Sequence, residues 1–306
     1  MKRLLITGGT GFFGKSILDY MRRHPDFLSS TEITVLSRDP RAFLSGHQSL
    51  AEQRRVHFIK GNILSNSLQQ TLTQGAKQPY DAIIHAAATP SNSLSDQDML
   101  DTIINGTHNV LKFAESSNIG RLLYISSGAV YGPLTTKVDE RAPTLPTTAY
   151  GKGKLAAEDL CINSSIPCLI ARCFAFTGVY LNRHIHYAIG NFIQDCLDGK
   201  DIVIKGDGTP LRSYMYADDL VEWLFTILDR GQPLRPYNVG SPFGLSIKDL
   251  AESVRRTLGV RNRIKICQRP TGDAPSVYVP DIERAKTELD LDIRTDLTSA
   301  ILKSAI

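Results

Sequence analysis

Directly behind the apolar run Leu4-Leu5-Ile6 the chain reads Thr7-Gly8-Gly9-Thr10-Gly11-Phe12-Phe13-Gly14, and no other segment restricts the backbone as much. Gly9, Gly11 and Gly14 fit G-x-G-x-x-G, while Gly8, Gly11 and Gly14 fit the looser G-x-x-G-x-x-G. A strand, a glycine turn and a helix in that order make a dinucleotide site. One glycine permits the tight turn, one lets backbone approach a pyrophosphate, and one allows close helix–strand packing. The helix amino terminus then offers N–H groups and the positive end of its dipole to the phosphates. A second feature lies mid-chain: Tyr150 and Lys154 are four apart, hence on one face if that segment is helical. Such a pair can deliver a proton to a carbonyl beside a nicotinamide, so the two features together point to redox chemistry.

At 306 residues the chain suits one large domain or two closely joined ones, long enough to bury a core without metal or disulfide staples. Its hydrophobic content of 42% and charged content of 22% are ordinary for a globular protein. The net charge of +4 comes with no long basic run, which gives nucleic-acid binding little support and suits an anionic small substrate. Five cysteines without a C-x-x-C spacing fit reduced, mostly buried thiols of a cytoplasmic protein, and no metal-ligand set is expected. The apolar stretch at the start ends after three residues, too short for a signal peptide, and no run is long enough to span a membrane.

Strand-like runs occur at Arg3–Thr7, Ile33–Ser37, Val56–Lys60, Ala82–Ala86, Leu122–Ser126 and Cys168–Arg172. Helical patterns fall at Gly11–Arg23, Gln97–Ser117 and Tyr150–Asn163, the second placing Met99, Ile103, Val110, Leu111 and Ala114 broadly on one side. This alternation predicts an α/β fold: a Rossmann-type doubly wound parallel sheet with helices on both faces. After Arg172 the pattern loosens, with helices expected at Ile185–Leu197, Asp218–Asp229, Ile247–Leu258 and Asp281–Glu288 and strands at Ile202–Ile204 and Tyr237–Val239. The expected organisation is a dinucleotide-binding domain over 1–172, also receiving 210–240. A smaller α+β substrate-binding domain over 173–306 interleaves with it.

Further segments accumulate in a fixed order: His85-Ala86-Ala87-Ala88 after the fourth strand, Asn105-Gly106-Thr107, Ser126-Ser127-Gly128-Ala129-Val130-Tyr131-Gly132, and Tyr150-Gly151-Lys152-Gly153-Lys154. Arg212 through Leu220 and Tyr237-Asn238-Val239-Gly240 complete the set. With the glycine turn, these make the chain resemble, over nearly its whole length, the extended short-chain dehydrogenase/reductases. These form the NAD-dependent epimerase/dehydratase group, which modifies nucleotide sugars. The resemblance implies that Tyr150 is the general acid/base, that Lys154 lowers its pKa and holds the nicotinamide ribose, and that Ser127 hydrogen-bonds the reacting oxygen. Electrostatics agrees, because a nearby ammonium brings a phenol with a reference pKa of about 10 nearer neutrality. The resemblance prefers Ser127 to Ser126, because Ser127 stands four residues before Tyr131, where that family places its Ser or Thr. The implied cofactor contacts are Gly8, Gly11, Phe12, Phe13, Gly14, Ser37, Arg38, Asn62, Ile63, Ala86, Ala87, Ala88, Asn105, Ser126 and Phe174, besides Tyr150 and Lys154. On the substrate side stand Thr89, Ser127, Gly128, Ala129, Ala175, His186 and Arg212, with His184 beside His186. Arg212 matches an arginine that clamps the nucleotide pyrophosphate, whereas Ala175 replaces an Asn that usually touches it.

Two places narrow the reading. A ribose 2′-OH wants an acidic partner and a 2′-phosphate a cation. The second strand ends in Ser37-Arg38-Asp39-Pro40-Arg41, which favours NADP(H) through Arg38, with Asp39 keeping NAD(H) as the alternative. In the dehydratases of this group an acidic pair follows the Ser/Thr, and epimerase-reductases of the GDP-fucose synthase type use a Cys at the second of those positions. Here Gly128 and Ala129 stand there and can move no proton. What remains needs hydride transfer and one tyrosine: reduction of a 4-keto-6-deoxyhexose on a nucleotide carrier, or 4-epimerisation through a transient ketone. A dinucleotide sensor without turnover is a third reading, and the presence of both Tyr150 and Lys154 speaks against it. The resemblance also implies a homodimer formed through the helices Gln97–Ser117 and Tyr150–Asn163.

Overall fold

The computed structural model describes residues 1–75, 78–87, 95–183 and 187–306. In chain order the first half holds β1 (Arg3–Thr7), α1 (Phe12–Arg23), β2 (Glu32–Ser37), α2 (Pro40–Gly46), α3 (Gln48–Ala51), β3 (Val56–Lys60), α4 (Leu68–Gly75), β4 (Ala82–His85) and α5 (Asp96–Ser116). There follow β5 (Arg121–Ser127), a one-turn 3-10 helix (Gly128–Tyr131), α6 (Ala149–Ile162) and β6 (Cys168–Cys173). The remainder comprises β7 (Phe176–Thr177), α7 (Ala188–Leu197), β8 (Ile202–Ile204), β9 (Leu211–Arg212), β10 (Met215–Tyr216), α8 (Ala217–Arg230) and β11 (Pro236–Val239). It closes with β12 (Leu245–Ser246), α9 (Ile247–Thr257), β13 (Ile264–Ile266), β14 (Val277–Tyr278), α10 (Glu283–Leu289) and α11 (Leu297–Ser304).

Seven strands form one parallel sheet in the order β11-β6-β5-β4-β1-β2-β3. The chain winds outward from β1 to β3, then crosses back to β4 on the other side of β1. Thr7 at the end of β1 is therefore in register with Leu36 of β2 and His85 of β4. That reversal between β1 and β4 is the switch point at which doubly wound sheets open a ligand crevice beyond their carboxyl ends. The strands are largely apolar because both faces are covered: Leu4, Leu5 and Ile6 are fully buried, as are Cys168, Leu169, Ile170 and Ala171 of β6. On one face Leu5, Ile83, Leu122 and Tyr124 pack with Ile103, Val110, Leu111 and Ala114 of α5 and Ala157 and Cys161 of α6. Ser95 and Thr148 cap α5 and α6 by accepting from Asp98 N and Gly151 N.

The chain divides into two compact units, Met1–Gly132 with Thr144–Arg172 and Leu224–Tyr237, and Pro133–Pro143 with Cys173–Trp223 and Asn238–Ile306. In the second, β9 pairs antiparallel with β12 and parallel with β14, β13 pairs with β8, and β10 with β7. All six expected strands of the first half form, with ends moved by no more than a residue. The helix expected from Ile185 starts at Ala188, residues 184–186 lying outside the described ones. Helices α2, α4 and α11 carry no clear signal: α4 reads Leu-Gln-Gln-Thr-Leu-Thr-Gln-Gly and buries only Leu68 and Leu72. Among the described residues no helix is long and apolar enough to cross a membrane, and the five cysteines are free thiols, four of them buried.

Leu5 sits in the middle of the central strand with no exposure. Leu5→Ala is expected to destabilise the protein by about 3 kcal/mol, read as a lowered urea midpoint at unchanged slope.

Candidate active site

Gly8 opens the turn after β1 with φ +74°, a conformation that side chains rarely adopt, and its carbonyl accepts from Gly11 N at 3.0 Å. A Cβ on Gly8 would lie 2.6 Å from the carbonyl of Ala86 and the nitrogen of Ala87, and one on Gly14 would sit 2.1 Å from Gly9 Cα. Both glycines are thus required by packing. Gly11 differs: it is exposed, and a Cβ there would meet only the Gly8 carbonyl at 3.3 Å, so it leaves an open approach to the helix end. Gly11 caps α1 without a side chain, and the first turn of α1 carries no acidic residue to compete with an anion. These features fit a dinucleotide pyrophosphate.

Around that turn lie the ends of the neighbouring strands. Ser37 is buried and Arg38 exposed, while Asp39 caps α2 by accepting from Ala42 N at 3.1 Å. Beyond β3, Asn62 is exposed and its Oδ1 accepts from Leu64 N at 3.1 Å; Ile63 is clamped by α5, Asn109 donating to its carbonyl at 2.9 Å. Asn105 lies on the exposed face of α5. Ala86 and Ala87 pack on Gly8, whereas Ala88, Thr89, His184 and His186 lie outside the described residues.

The end of β5 and the start of α6 carry the other set. Ser127 Oγ accepts from Ala129 N at 3.1 Å, which directs its own O–H elsewhere. Ser126, alternating to the opposite side of the strand, donates instead to Glu158. On α6, a Cβ on Gly151 would come within 2.6 Å of the Ala129 carbonyl, so the helix rests directly on the 3-10 turn. Lys154 is 2% exposed; its Nζ donates to the Ile125 carbonyl at 2.7 Å and lies 5.7 Å from the Tyr150 ring centroid and 4.9 Å from that of Tyr124. The amine is therefore anchored two residues before Ser127 and beneath Tyr150. Gly128 and Ala129 are the residues next to Ser127, and neither can exchange a proton.

In the second unit, the Phe174 ring packs against that of Tyr278 with centroids 4.7 Å apart and planes tilted by 40°, and the Arg212 guanidinium stands 6.0 Å from the Tyr278 ring. Arg212 donates to the carbonyls of Leu211 at 2.8 Å and Ser276 at 3.2 Å, and burial holds its pKa below the ordinary value. Ala175 offers only backbone, its carbonyl accepting from Met215 N. Asn238 is fully buried and donates to the carbonyls of Val138 and Asp281.

The model of the NAD dependent epimerase/dehydratase family matches residues 4–240. The chain belongs to that family. It is an oxidoreductase-type enzyme of the extended short-chain dehydrogenase/reductase class. Among curated relatives, human dTDP-D-glucose 4,6-dehydratase is 29% identical over 264 residues, covering 83% of this chain and 73% of its own. The UDP-glucuronic acid decarboxylase 6 of Arabidopsis thaliana is 27% identical, covering 98% and 86%. Among solved structures, UDP-glucuronic acid 4-epimerase from Bacillus cereus, in complex with UDP-4-deoxy-4-fluoro-glucuronic acid and NAD, superposes with a TM-score of 0.85 at 25% identity, covering 99% and 98%. The UDP-glucose 4-epimerase of Thermotoga maritima reaches the same TM-score at 19% identity, covering 99% and 97%, a likeness of fold.

Within this family member the residue that sequence reading left without a role is His85. It is fully buried, with Nδ1 2.6 Å from Thr7 Oγ1 and Nε2 3.1 Å from Thr107 Oγ1. Thr107 spends its proton on the Ile103 carbonyl at 2.7 Å, so Nε2 must carry hydrogen and Nδ1 must accept from Thr7. This neutral relay joins β1, β4 and α5 immediately before Gly8. Burial, reinforced by the charge of Lys154, pushes the His85 pKa down to about 3. A histidine depressed when folded binds fewer protons than when unfolded, so its contribution is complete above its ordinary value and is lost as pH falls from 6.5 towards 3. The urea midpoint is therefore expected to fall as pH drops from 7 to 5, and His85→Gln is expected to flatten that dependence while lowering stability at pH 7.

Proposed function

We propose that the enzyme reduces the 4-keto group of a nucleotide-activated 6-deoxyhexose, with NADPH as hydride donor. The observation that carries this reading is the pairing of Ser127, Tyr150 and Lys154 with Gly128 and Ala129, residues that cannot remove or redeliver a proton. Elimination of water or epimerisation beside a ketone needs such an acid; reduction does not. The capping role of Asp39 supports NADP(H) over NAD(H): its carboxylate is held by Ala42 N, and Arg38 is left exposed at the end of β2.

When bound, the dihydronicotinamide supplies the hydride. The Tyr150 hydroxyl gives its proton to the carbonyl oxygen as that oxygen becomes an alcohol, and the phenolate left behind regains a proton from solvent. Lys154, fixed on the Ile125 carbonyl, places its positive charge beneath that phenolate. Ser127 donates its O–H to the same oxygen and orients the ketone. Gly8, Gly11 and Gly14 with the N-terminus of α1 hold the pyrophosphate, and Arg212 takes the pyrophosphate of the sugar nucleotide. The family resemblance supports a cytoplasmic homodimer joined through α5 and α6. A second reading, redox-neutral 4-epimerisation with NAD, is supported by the 4-epimerases among the structural neighbours.

Purified protein given NADPH and a dTDP- or GDP-4-keto-6-deoxyhexose should lose absorbance at the reduced-nicotinamide band. Interconversion of UDP-hexoses without added cofactor, alongside no NADPH loss, would replace this reading by the epimerase. Tyr150→Phe is expected to lower kcat by at least about 100-fold with NADPH affinity unchanged, as loss of an acid/base group requires. Arg38→Ala should weaken NADPH about tenfold and leave NADH affinity alone, measured by fluorescence titration; equal weakening of both would remove Arg38 from 2′-phosphate recognition.

A further inference from the structure

Beside the reacting groups lies an ion pair between α6 and β6 whose hydrogen bonds also reach β5 and the 3-10 turn. Glu158 is 1% and Arg172 7% exposed. Arg172 Nη2 donates to Glu158 Oε2 at 2.8 Å and its Nε to Oε1 at 3.1 Å, a two-pronged contact. Ser126 donates its hydroxyl to Glu158 Oε1. Arg172 Nη1 reaches the Tyr131 hydroxyl at 3.1 Å, with the guanidinium 4.9 Å from the centre of that ring. The placements matter more than the contacts. Ser126 precedes Ser127, Tyr131 ends the 3-10 turn that Ser127 caps, and Glu158 lies one helical turn beyond Lys154 and two beyond Tyr150.

A buried ion pair is poor evidence for stability, because desolvating two charges offsets most of their attraction, and apolar replacements of similar size are often as stable. What a fully bonded pair does supply is direction, since a carboxylate and a guanidinium accept partners only along fixed lines. Taking Ser127, Tyr150 and Lys154 as the reacting set of the reduction proposed above, we propose that Glu158 and Arg172 are positioning residues. They lock the Ser127 turn and the Tyr150–Lys154 helix into one geometry, from the side away from the substrate.

The test uses two variants and two readouts. Ser126→Ala removes one hydrogen bond and no charge. Ser126→Ala/Glu158→Met/Arg172→Met replaces the pair by apolar side chains of similar length. Steady-state reduction should show kcat lowered about fivefold in the first and about fiftyfold in the second, with the sugar KM within twofold of wild type. Hydrogen exchange should show the Ala129 amide, which reports the Ser127 Oγ position, exchanging at least fivefold faster in both while the thermal midpoint moves little. A folded triple variant with unchanged kcat and unchanged Ala129 exchange overturns the proposal. If the triple variant does not fold, wild-type kcat and exchange in Ser126→Ala overturn it equally. Should the wild type consume no NADPH with any 4-keto sugar, the ketoreductase reading falls, and the exchange arm still decides whether the pair positions the turn.

Discussion

The ammonium of Lys154 is the group on which the geometry depends. A charge sealed from water loses several kcal/mol of hydration unless hydrogen bonds and facing dipoles replace it. Here the Ile125 carbonyl and the π-faces of Tyr124 and Tyr150 do so. Burial pushes the Tyr124 hydroxyl well above its ordinary range, which keeps it a neutral phenol beside the amine. The helix that carries Lys154 cannot slide or rotate without stranding that charge. Tyr150, one turn earlier, is placed by the same constraint.

Small residues make the placement possible. Helix α6 is approached closely from two directions, and each contact falls on a glycine. Gly151 meets the Ala129 carbonyl, and Gly153 faces Ile103 and Leu100 of α5, where an added Cβ would lie 3.2 Å from Ile103. The dinucleotide turn follows the same principle, with Gly8 against Ala86 and Ala87 and Gly14 against Gly9. Backbone thus touches backbone at both ends of the reacting region, while the neutral relay through His85 ties the end of β1 to α5. A parallel sheet suits this arrangement because it brings the carboxyl ends of β1, β4 and β5 to one edge.

Much of this was legible in the amino acids. Strands such as β1 and β6 announce themselves because burial on both faces demands apolar runs, here Leu4-Leu5-Ile6 and Cys168-Leu169-Ile170-Ala171. The choice of Ser127 over Ser126 rests on its place four residues before Tyr131, and the structure sends Ser126 to the ion pair instead. Other features carry no local signal. Asp39 keeps NAD(H) open in the sequence; the structure shows its carboxylate accepting from Ala42 N as the cap of α2. Thr107 and Asn105 stand two apart on α5; only the fold shows that Thr107 turns inward to His85 while Asn105 faces outward. The Glu158–Arg172 pair joins residues 14 apart on two elements, a contact no periodicity announces.

The central claim is that this site moves a hydride from cofactor to sugar and keeps none for return. NADPH carrying deuterium at the transferable C4 position measures that directly when the product is examined by mass spectrometry and proton NMR. One deuterium at the sugar C4 and one cofactor oxidised for each sugar reduced are expected. A product free of label, with the cofactor unchanged in amount, would contradict it.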